Sequence, residues 1–253
     1  MIILKTWVLR TNSKKVNVIK AVFFDWFNTL ARYDPPREQL ESQVFQEFDI
    51  HVPPQKILPA LMIADREYFE ENAASPVRQR SPEEQLKIYI HYQNTILTEA
   101  GVNPPGEQEI LLKIMQRVQQ LSQGMRFTLF DDVLPTVKML KEQSLVLGLL
   151  SNIDRDMKPI SREVGLEPYI DFTVTSAEVG ADKPHPPIFL AALERAGVDA
   201  SEAVHVGDQY NLDVIGARGV GITPVFIDRY NLYPEVSDCP RIHSLSELTE
   251  YLC

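Results

Sequence analysis

Five short apolar runs, separated by segments of helical length, constrain the fold of this chain more than any other feature. They occupy positions 19–24, 145–150, 172–175, 203–206 and 223–227. Each run is apolar on both faces, which is typical of strands buried in a parallel sheet. Helical segments at 133–143, 187–196 and 212–219 precede the later runs. This alternation predicts right-handed βαβ units and an α/β fold with a doubly wound, mostly parallel sheet.

The segment from 34 to 126 has a different pattern, because it contains no clear strand run and is helical in periodicity throughout. Within it, Ser81, Pro82 and Glu84 have the spacing of a capped helix start. Ser244 and Glu247 have the same cap spacing and predict a last short helix near the C-terminus. We therefore predict an all-helical domain at 34–126, inserted into an α/β core made of 18–33 and 127–253. Residues 1–17 are interpreted as an N-terminal extension.

The composition excludes several classes of partner. Lys and Arg total 25 against 35 Asp and Glu, so the net charge is −10, and no basic stripe is present to meet a nucleic acid. No run approaches the roughly 18 apolar residues of a membrane span, and the start lacks a signal-peptide pattern. Two cysteines, Cys239 and Cys253, are too few for a disulfide framework. We expect a cytoplasmic protein, monomeric or homodimeric, that acts on a small anionic molecule.

Polar residues of catalytic type stand where the predicted strands end. In an open parallel sheet the ligand binds outside the carboxyl ends of the strands, so these residues are expected to share one crevice. His205, inside the fourth run, is interpreted as a buried core histidine. The residues at the strand ends and in the loops that follow are Asp25, Ser151, Asn152, Lys183, Asp208 and Asp213.

The order of these residues resembles the haloacid dehalogenase-like hydrolase superfamily, in the subfamily with a helical cap of the first type. The first motif is FFDWFNTL at 23–30 and the second is LLSN at 149–152. The third is Lys183-Pro184, and the fourth is VGD at 206–208 followed by Asp213 and Gly216-Ala217. The resemblance covers about 18–33 and 127–228, whereas the cap is matched only by its position and helical character.

The resemblance assigns a role to each motif residue. It implies that Asp25 is a nucleophile whose covalent intermediate is hydrolysed by water. Ser151 and Asn152 are expected to bind the oxygens of the transferred group, and Lys183 to neutralise its charge. Trp26 is a candidate substrate contact beside the nucleophile. The expected cofactor is Mg²⁺, held by the atoms that the resemblance assigns to it: carboxylate oxygens of Asp25, Asp208 and Asp213 and the backbone oxygen of Phe27.

Phe27 departs from the pattern of the superfamily's phosphatases. Those enzymes usually have a second aspartate two residues after the nucleophile, which protonates the leaving group. Loss of a positioned general acid typically costs about 10²–10⁴-fold, so Phe27 favours a leaving group that departs unaided. An aromatic residue here resembles the metal-independent 2-haloacid dehalogenases, whereas Asp208 and Asp213 resemble the metal-dependent members.

We predict a Mg²⁺-dependent phosphatase of a small phosphorylated metabolite. The alternatives are a 2-haloacid dehalogenase, a phosphonate-cleaving enzyme, and a weakly active or non-catalytic protein that binds a ligand or partner.

Overall fold

The structure, a computed structural model, describes residues 8–9, 17–106 and 108–252. Apart from Val8, Leu9 and Asn17, the predicted N-terminal extension at 1–17 lies outside the described residues. The chain divides into two compact units, Met1–Arg32 with Thr128–Cys253, and Tyr33–Phe127. Within the described part of the chain, no helix is both long and apolar enough to cross a lipid bilayer.

The first unit is built on a parallel sheet with β3 near its centre. Six strands follow the order β10-β9-β8-β3-β6-β7, and all five neighbouring pairs are parallel. The predicted parallel α/β sheet is therefore confirmed. The strands of the described residues are β1 Val8–Leu9, β2 Asn17–Val18, β3 Ala21–Phe24, β4 Ala31–Asp34, β5 Arg126–Leu129, β6 Val146–Ser151, β7 Phe172–Thr175, β8 Ala203–Gly207, β9 Thr223–Ile227 and β10 Arg241–Ile242.

Helices separate the strands of the sheet and form most of the second unit. The α-helices of the described residues are α1 Arg37–Glu47, α2 Pro54–Ala74, α3 Pro82–Glu99, α4 Gln108–Ser122, α5 Val133–Glu142, α6 Lys158–Glu163, α7 Ser176–Val179, α8 Pro186–Ala196, α9 Gly216–Gly219 and α10 Leu248–Tyr251. Helices α1 to α4 belong to the Tyr33–Phe127 unit. Strands β4 and β5 pair with each other as a separate two-stranded sheet.

Both predicted capping boxes are present. Ser81 Oγ accepts from the backbone N–H of Glu84 at 3.3 Å, and Glu84 Oε2 accepts from the backbone N–H of Ser81 at 3.0 Å. Ser244 and Glu247 make the equivalent pair of bonds before α10. These reciprocal bonds satisfy N–H groups that the first helical turn leaves without a partner.

Burial on both faces explains why the core strands are apolar runs. The side chains of β3 are all 0% exposed, and Phe23 joins the packed cluster that α8 completes with Ile188 and Phe189. Burying each of the larger side chains, valine, isoleucine or phenylalanine, contributes about 1.5–3 kcal/mol. The sheet is therefore a rigid base on which the residues after each strand are held.

One predicted helix differs from the structure. The segment 212–219 was expected to be a single helix, but a π-helical turn at Tyr210–Ile215 leads into α9. Asp213 N–H donates to Gln209 O at 2.7 Å in this turn, while Asp213 Oδ2 accepts from Gln209 N–H at 3.0 Å. The side chain of Asp213 thus folds back onto the backbone, and such turns frequently mark functional sites.

Candidate active site

The end of the central strand places Asp25 between two neighbouring strands. Strand β3 pairs with β6 on one side and with β8 on the other. The backbone N–H of Asp25 extends the pairing by donating to Val206 O at 2.9 Å. Because parallel strands end at one edge of a sheet, Ser151 at the end of β6 and Asp208 after β8 lie at the same edge as Asp25.

Lys183 bridges two carboxylates with one ammonium group. Its Nζ lies 2.6 Å from Asp25 Oδ1 and 2.6 Å from Asp213 Oδ1. A longer bond of 3.4 Å runs to Leu150 O. Lys183 is 2% exposed, so both ion pairs are shielded from solvent. An ammonium group in this position orients Asp25 and offsets part of the buried negative charge.

Burial and charge act in opposite directions on the pKa values of these three groups. Burial raises the pKa of Asp25 to about 6, although Lys183 works against it. Burial also acts to raise the pKa of Asp213, but Lys183 and His205 outweigh it and lower the pKa to about 2. Burial acts to lower the pKa of Lys183, and the two carboxylates outweigh it and raise that pKa well above its usual value. At neutral pH, Lys183 and Asp213 are therefore charged and Asp25 is largely ionised.

Asp208 is a third carboxylate at this edge of the sheet. Its Oδ1 accepts from the Thr29 hydroxyl at 3.4 Å, and its Oδ2 accepts from the Gln209 side-chain amide at 3.2 Å. Burial, followed by the charges of Asp25 and Asp213, raises the pKa of Asp208 well above its usual value. Burial is the larger cause of this shift, and the neighbouring carboxylates add to it because Lys183 offsets their charges only in part.

Asp213 is hydrogen-bonded through both carboxylate oxygens. Its Oδ1 accepts from Lys183 Nζ and from His205 Nε2, the latter at 2.9 Å, while its Oδ2 accepts from Gln209 N–H. Gly207 makes room for this carboxylate, since a Cβ added there would lie 2.1 Å from Asp213 Cγ. A glycine at 207 is therefore required by the close approach of Asp213 to the strand end.

The two residues at the end of β6 have different surroundings. Ser151 closes the strand and is 7% exposed. The Asn152 side chain brackets the backbone of Lys183, because Nδ2 donates to Lys183 O at 3.0 Å and Oδ1 accepts from Lys183 N–H at 2.7 Å. The substrate contacts predicted for both residues, through the backbone in the case of Asn152, stay predictions. The side-chain amide of Asn152 holds the loop that carries the lysine.

Trp26 and Phe27 follow the nucleophile in the turn after β3. Trp26 is 1% exposed, so its side chain is buried, and its predicted contact with substrate stays a prediction. Phe27 is half-buried and forms an isolated bridge with Ala31. The backbone oxygen of Phe27 as a metal ligand also stays a prediction.

The donor set fits a hard divalent cation. One carboxylate oxygen from each of Asp25, Asp208 and Asp213 lies within 4.8 Å of the others. Three carboxylates and the ammonium of Lys183 leave a formal excess of two negative charges, and oxygen atoms are the ligands that Mg²⁺ prefers. Asp213 accepts three bonds of 2.6 to 3.0 Å from protein groups, whereas the two bonds to Asp208 are longer, at 3.4 and 3.2 Å. Asp25 and Asp208 are therefore the better placed candidate ligands.

Three parts of the site were missed by reasoning from the sequence. His205 is buried as predicted, but its bond to Asp213 was not foreseen; its only signal was a polar residue inside an apolar strand. Thr29, whose hydroxyl donates to Asp208, gave no signal beyond its place in the first motif. Arg229 donates twice to Thr29 O, at 3.0 and 2.6 Å, and so holds the turn that carries Thr29.

Known proteins similar to this chain include two named phosphatases. A family model described as haloacid dehalogenase-like hydrolase matches residues 19–221. "Haloacid dehalogenase-like hydrolase domain-containing protein 3" of Danio rerio is 40% identical over 121 residues, covering 48% of this chain and 50% of that protein. The chain thus spans about half the length of this relative. A glyceraldehyde 3-phosphate phosphatase of Methanopyrus kandleri is 35% identical over 40% of this chain and 43% of its own. A ribulose-1,5-bisphosphate 5-phosphatase of Halopiger xanaduensis is 26% identical over 82% and 84%.

Solved structures share the fold and include two different activities. A HAD phosphatase from Thermococcus onnurineus matches with a TM-score of 0.53 at 24% identity, covering 92% of this chain and 97% of that chain. A 2-haloacid dehalogenase from Pseudomonas syringae matches with a TM-score of 0.53 at 26% identity, covering 93% and 98%. The fold alone therefore does not choose between these two reactions. Since the family model matches most of its length, the chain belongs to the haloacid dehalogenase-like hydrolase family.

Proposed function

We propose that this protein hydrolyses a small phosphorylated metabolite, with Asp25 as the nucleophile and Mg²⁺ as the cofactor. The observation that carries the proposal is the group of Asp25, Lys183, Asp208 and Asp213 at one edge of the sheet. A carboxylate nucleophile beside a fixed ammonium group and a set of cation ligands suits the transfer of an anionic phosphoryl group.

The charge of the site supports a role for a cation. Three carboxylates repel an anionic substrate, and Lys183 offsets only one of their charges. Mg²⁺ bound there would supply the missing positive charge and would offset the repulsion of the phosphoryl oxygens by the carboxylates. In this proposal Asp25 and Asp208 hold the cation together with the backbone oxygen of Phe27. Asp213 supports the site by holding Lys183.

The reaction takes two steps on Asp25. In the first step, an ionised oxygen of Asp25 attacks phosphorus and forms a new P–O bond. The bond from phosphorus to the leaving oxygen breaks, and that oxygen departs with the electron pair. In the second step, water attacks phosphorus and the bond to Asp25 breaks. This restores the carboxylate, releases inorganic phosphate and passes the proton of the water to solvent.

The remaining residues at the strand ends bind and orient the transferred group. The hydroxyl of Ser151 and the backbone N–H of Asn152 donate to the phosphoryl oxygens. Lys183 donates to the same group while it orients Asp25, and its charge stabilises the charge that develops in transfer. The side chain of Asn152 keeps the lysine loop in place through its two bonds to the backbone of Lys183.

Phe27 limits which phosphate compounds react quickly. A phenylalanine cannot donate a proton, so the leaving oxygen departs as an anion unless another group supplies one. The proposal therefore favours substrates whose leaving oxygen is stable without a proton, such as phosphate esters of acidic alcohols. Alkyl phosphates are expected to react slowly.

Dehalogenation is the second candidate function. The aromatic residue at position 27 and the likeness to a solved 2-haloacid dehalogenase favour it. In that reaction Asp25 attacks the carbon that carries the halogen, halide leaves with the electron pair, and water hydrolyses the resulting ester. The phosphatases named among the relatives and the cluster of Asp25, Asp208 and Asp213 support the phosphatase.

An assay with two substrates separates the candidates. The protein is incubated with an aryl phosphate and with 2-chloropropionate, each with Mg²⁺ and with EDTA. Aryl phosphate turnover that needs Mg²⁺ supports the phosphatase, whereas halide release in EDTA supports the dehalogenase. Asp25→Asn abolishes turnover in both cases. The matched control is Asp199→Asn, the same change at an exposed position before β8, at the opposite edge of the sheet.

A further inference from the structure

His205 is a fully buried histidine that reaches the charged cluster through Asp213. Its side chain is 0% exposed, and its Nε2 lies 2.9 Å from Asp213 Oδ1. An ionised carboxylate only accepts hydrogen bonds, so the hydrogen of the ring is on Nε2. The other ring nitrogen, Nδ1, is buried and makes no hydrogen bond to any described residue. A ring with its single hydrogen on Nε2 leaves no N–H group unsatisfied.

The same oxygen of Asp213 accepts from both His205 and Lys183. Lys183 Nζ stands at 2.6 Å from Asp213 Oδ1 and at 2.6 Å from Asp25 Oδ1, so its position reflects a balance between two attractions. The bond from His205 draws part of the negative charge of Asp213 away from the lysine. Without that bond, Asp213 attracts the ammonium group more strongly and pulls it away from Asp25.

The bond from His205 also limits rotation of the carboxylate. Asp213 Oδ2 is held by Gln209 N–H at 3.0 Å, and Oδ1 is held by His205 and Lys183. With His205 removed, the lysine is the one mobile group left on Oδ1 among the described residues. The carboxylate and the ammonium group can then move together toward the β8 side of the site.

We propose that His205 is a positioning residue whose Nε2–H holds Asp213 so that Lys183 stays against Asp25. The expected loss of kcat without this bond rests on the proposed function, because it is measured as phosphatase turnover. The structural consequence, the place of the lysine between two carboxylates, does not depend on which substrate is used.

The test compares His205→Gln with His205→Asn. The side-chain nitrogen of glutamine is as many bonds from Cβ as Nε2 of histidine, whereas that of asparagine reaches only as far as Nδ1. Both substitutions place a side-chain amide at the same buried position, so any effect of burying an amide is common to the two variants. Phe189→Leu is the packing control, because the Phe189 ring packs edge-on against the His205 ring, with 5.2 Å between the ring centroids, and has no group that can hydrogen-bond to Asp213.

Crystal structures and kinetics with an aryl phosphate and Mg²⁺ are measured for each variant. In His205→Gln the distance from Lys183 Nζ to Asp25 Oδ1 stays near 2.6 Å, and kcat stays within about 3-fold. In His205→Asn the distance increases by more than about 0.5 Å. Its kcat falls about 10–100-fold, while KM changes by less than about 3-fold. Phe189→Leu lowers the melting temperature and keeps kcat.

Two results overturn the proposal: equal kcat values for the Gln and Asn variants, or an unmoved lysine in His205→Asn. If the asparagine variant does not fold, His205→Leu takes its place, since it has no donor and needs no buried bond. If the unmutated protein hydrolyses no phosphate ester, the proposed function fails. The crystallographic comparison then decides the role of His205 on its own.

Discussion

Replacing Glu41 by glutamine is expected to remove a pH-dependent loss of folding stability from the Tyr33–Phe127 unit, which contains α1 to α4. Glu41 lies in α1, is 3% exposed, and accepts from Gln93 Nε2 at 3.4 Å. The neighbouring cation, Arg37, already donates to both oxygens of Asp65, at 2.7 and 3.1 Å. The charge of Arg37 acts on both buried carboxylates, and its hydrogen bonds go to Asp65. Ionised Glu41 is therefore poorly compensated.

The size of the effect follows from the pKa of Glu41. Burial raises this pKa from 4.5 to about 7, with Arg37 and Gln93 acting against the rise. The folded form therefore keeps its proton to a higher pH than the unfolded form does. The resulting stability is fully present below pH 4.5 and is lost as the pH rises through about 7. The difference, 7 − 4.5 = 2.5 units, corresponds to about 3 kcal/mol.

Hydrogen exchange of the amides in α1, α2 and α3 measures the free energy of opening of this unit. Between pH 4.5 and about pH 7, the unmutated protein should lose about 3 kcal/mol more opening free energy than Glu41→Gln. The control is Glu38→Gln, which removes the same charge from a half-buried position in the first turn of α1. Identical pH profiles for the unmutated protein and Glu41→Gln would refute the reasoning.

Three further predictions concern the site. Phe27→Asp should speed hydrolysis of alkyl phosphates about 10-fold or more while changing aryl phosphate turnover little. An equal effect on kcat/KM for both esters would show that the lack of a general acid at position 27 does not limit alkyl phosphate hydrolysis. The affinity for Mg²⁺, measured by calorimetry, should rise with pH, because protons compete for Asp25 and Asp208, whose pKa values are raised. An affinity independent of pH between about 5 and 8 would contradict this assignment of ligands. Asn152→Ala should lower kcat about 10-fold by loosening the backbone of Lys183, and an unchanged kcat would exclude that role.

The core strands could be predicted because each is an unbroken apolar run in a parallel sheet. Each predicted run ends within two residues of the observed strand. Five strands were missed, and all are two to four residues long: β1, β2, β4, β5 and β10. Of these, β4, β5 and β10 are partly exposed. Such short strands show neither an apolar run nor an alternating pattern, since few of their side chains face a core.

The candidate site could be predicted as a set of residues but not as a set of bonds. The places of Asp25, Lys183, Asp208 and Asp213 follow from strand ends, which meet at one edge of a parallel sheet. The direction of a side chain depends on turns that the sequence does not reveal. The π-helical turn at Tyr210–Ile215 carries Asp213 toward Lys183. The bond between these two side chains could not be predicted from the sequence pattern.

Asp25 is expected to be phosphorylated during turnover. The direct measurement is to quench the protein in acid while it turns over an aryl phosphate with Mg²⁺, and then to reduce it with borohydride. Borohydride converts an aspartyl-phosphate to homoserine, which mass spectrometry locates in the sequence. Homoserine is expected at position 25 when substrate and Mg²⁺ are both present, and none is expected in EDTA or in Asp25→Asn. Phosphate release with no reduced residue at position 25, or with reduction at another aspartate, would contradict it.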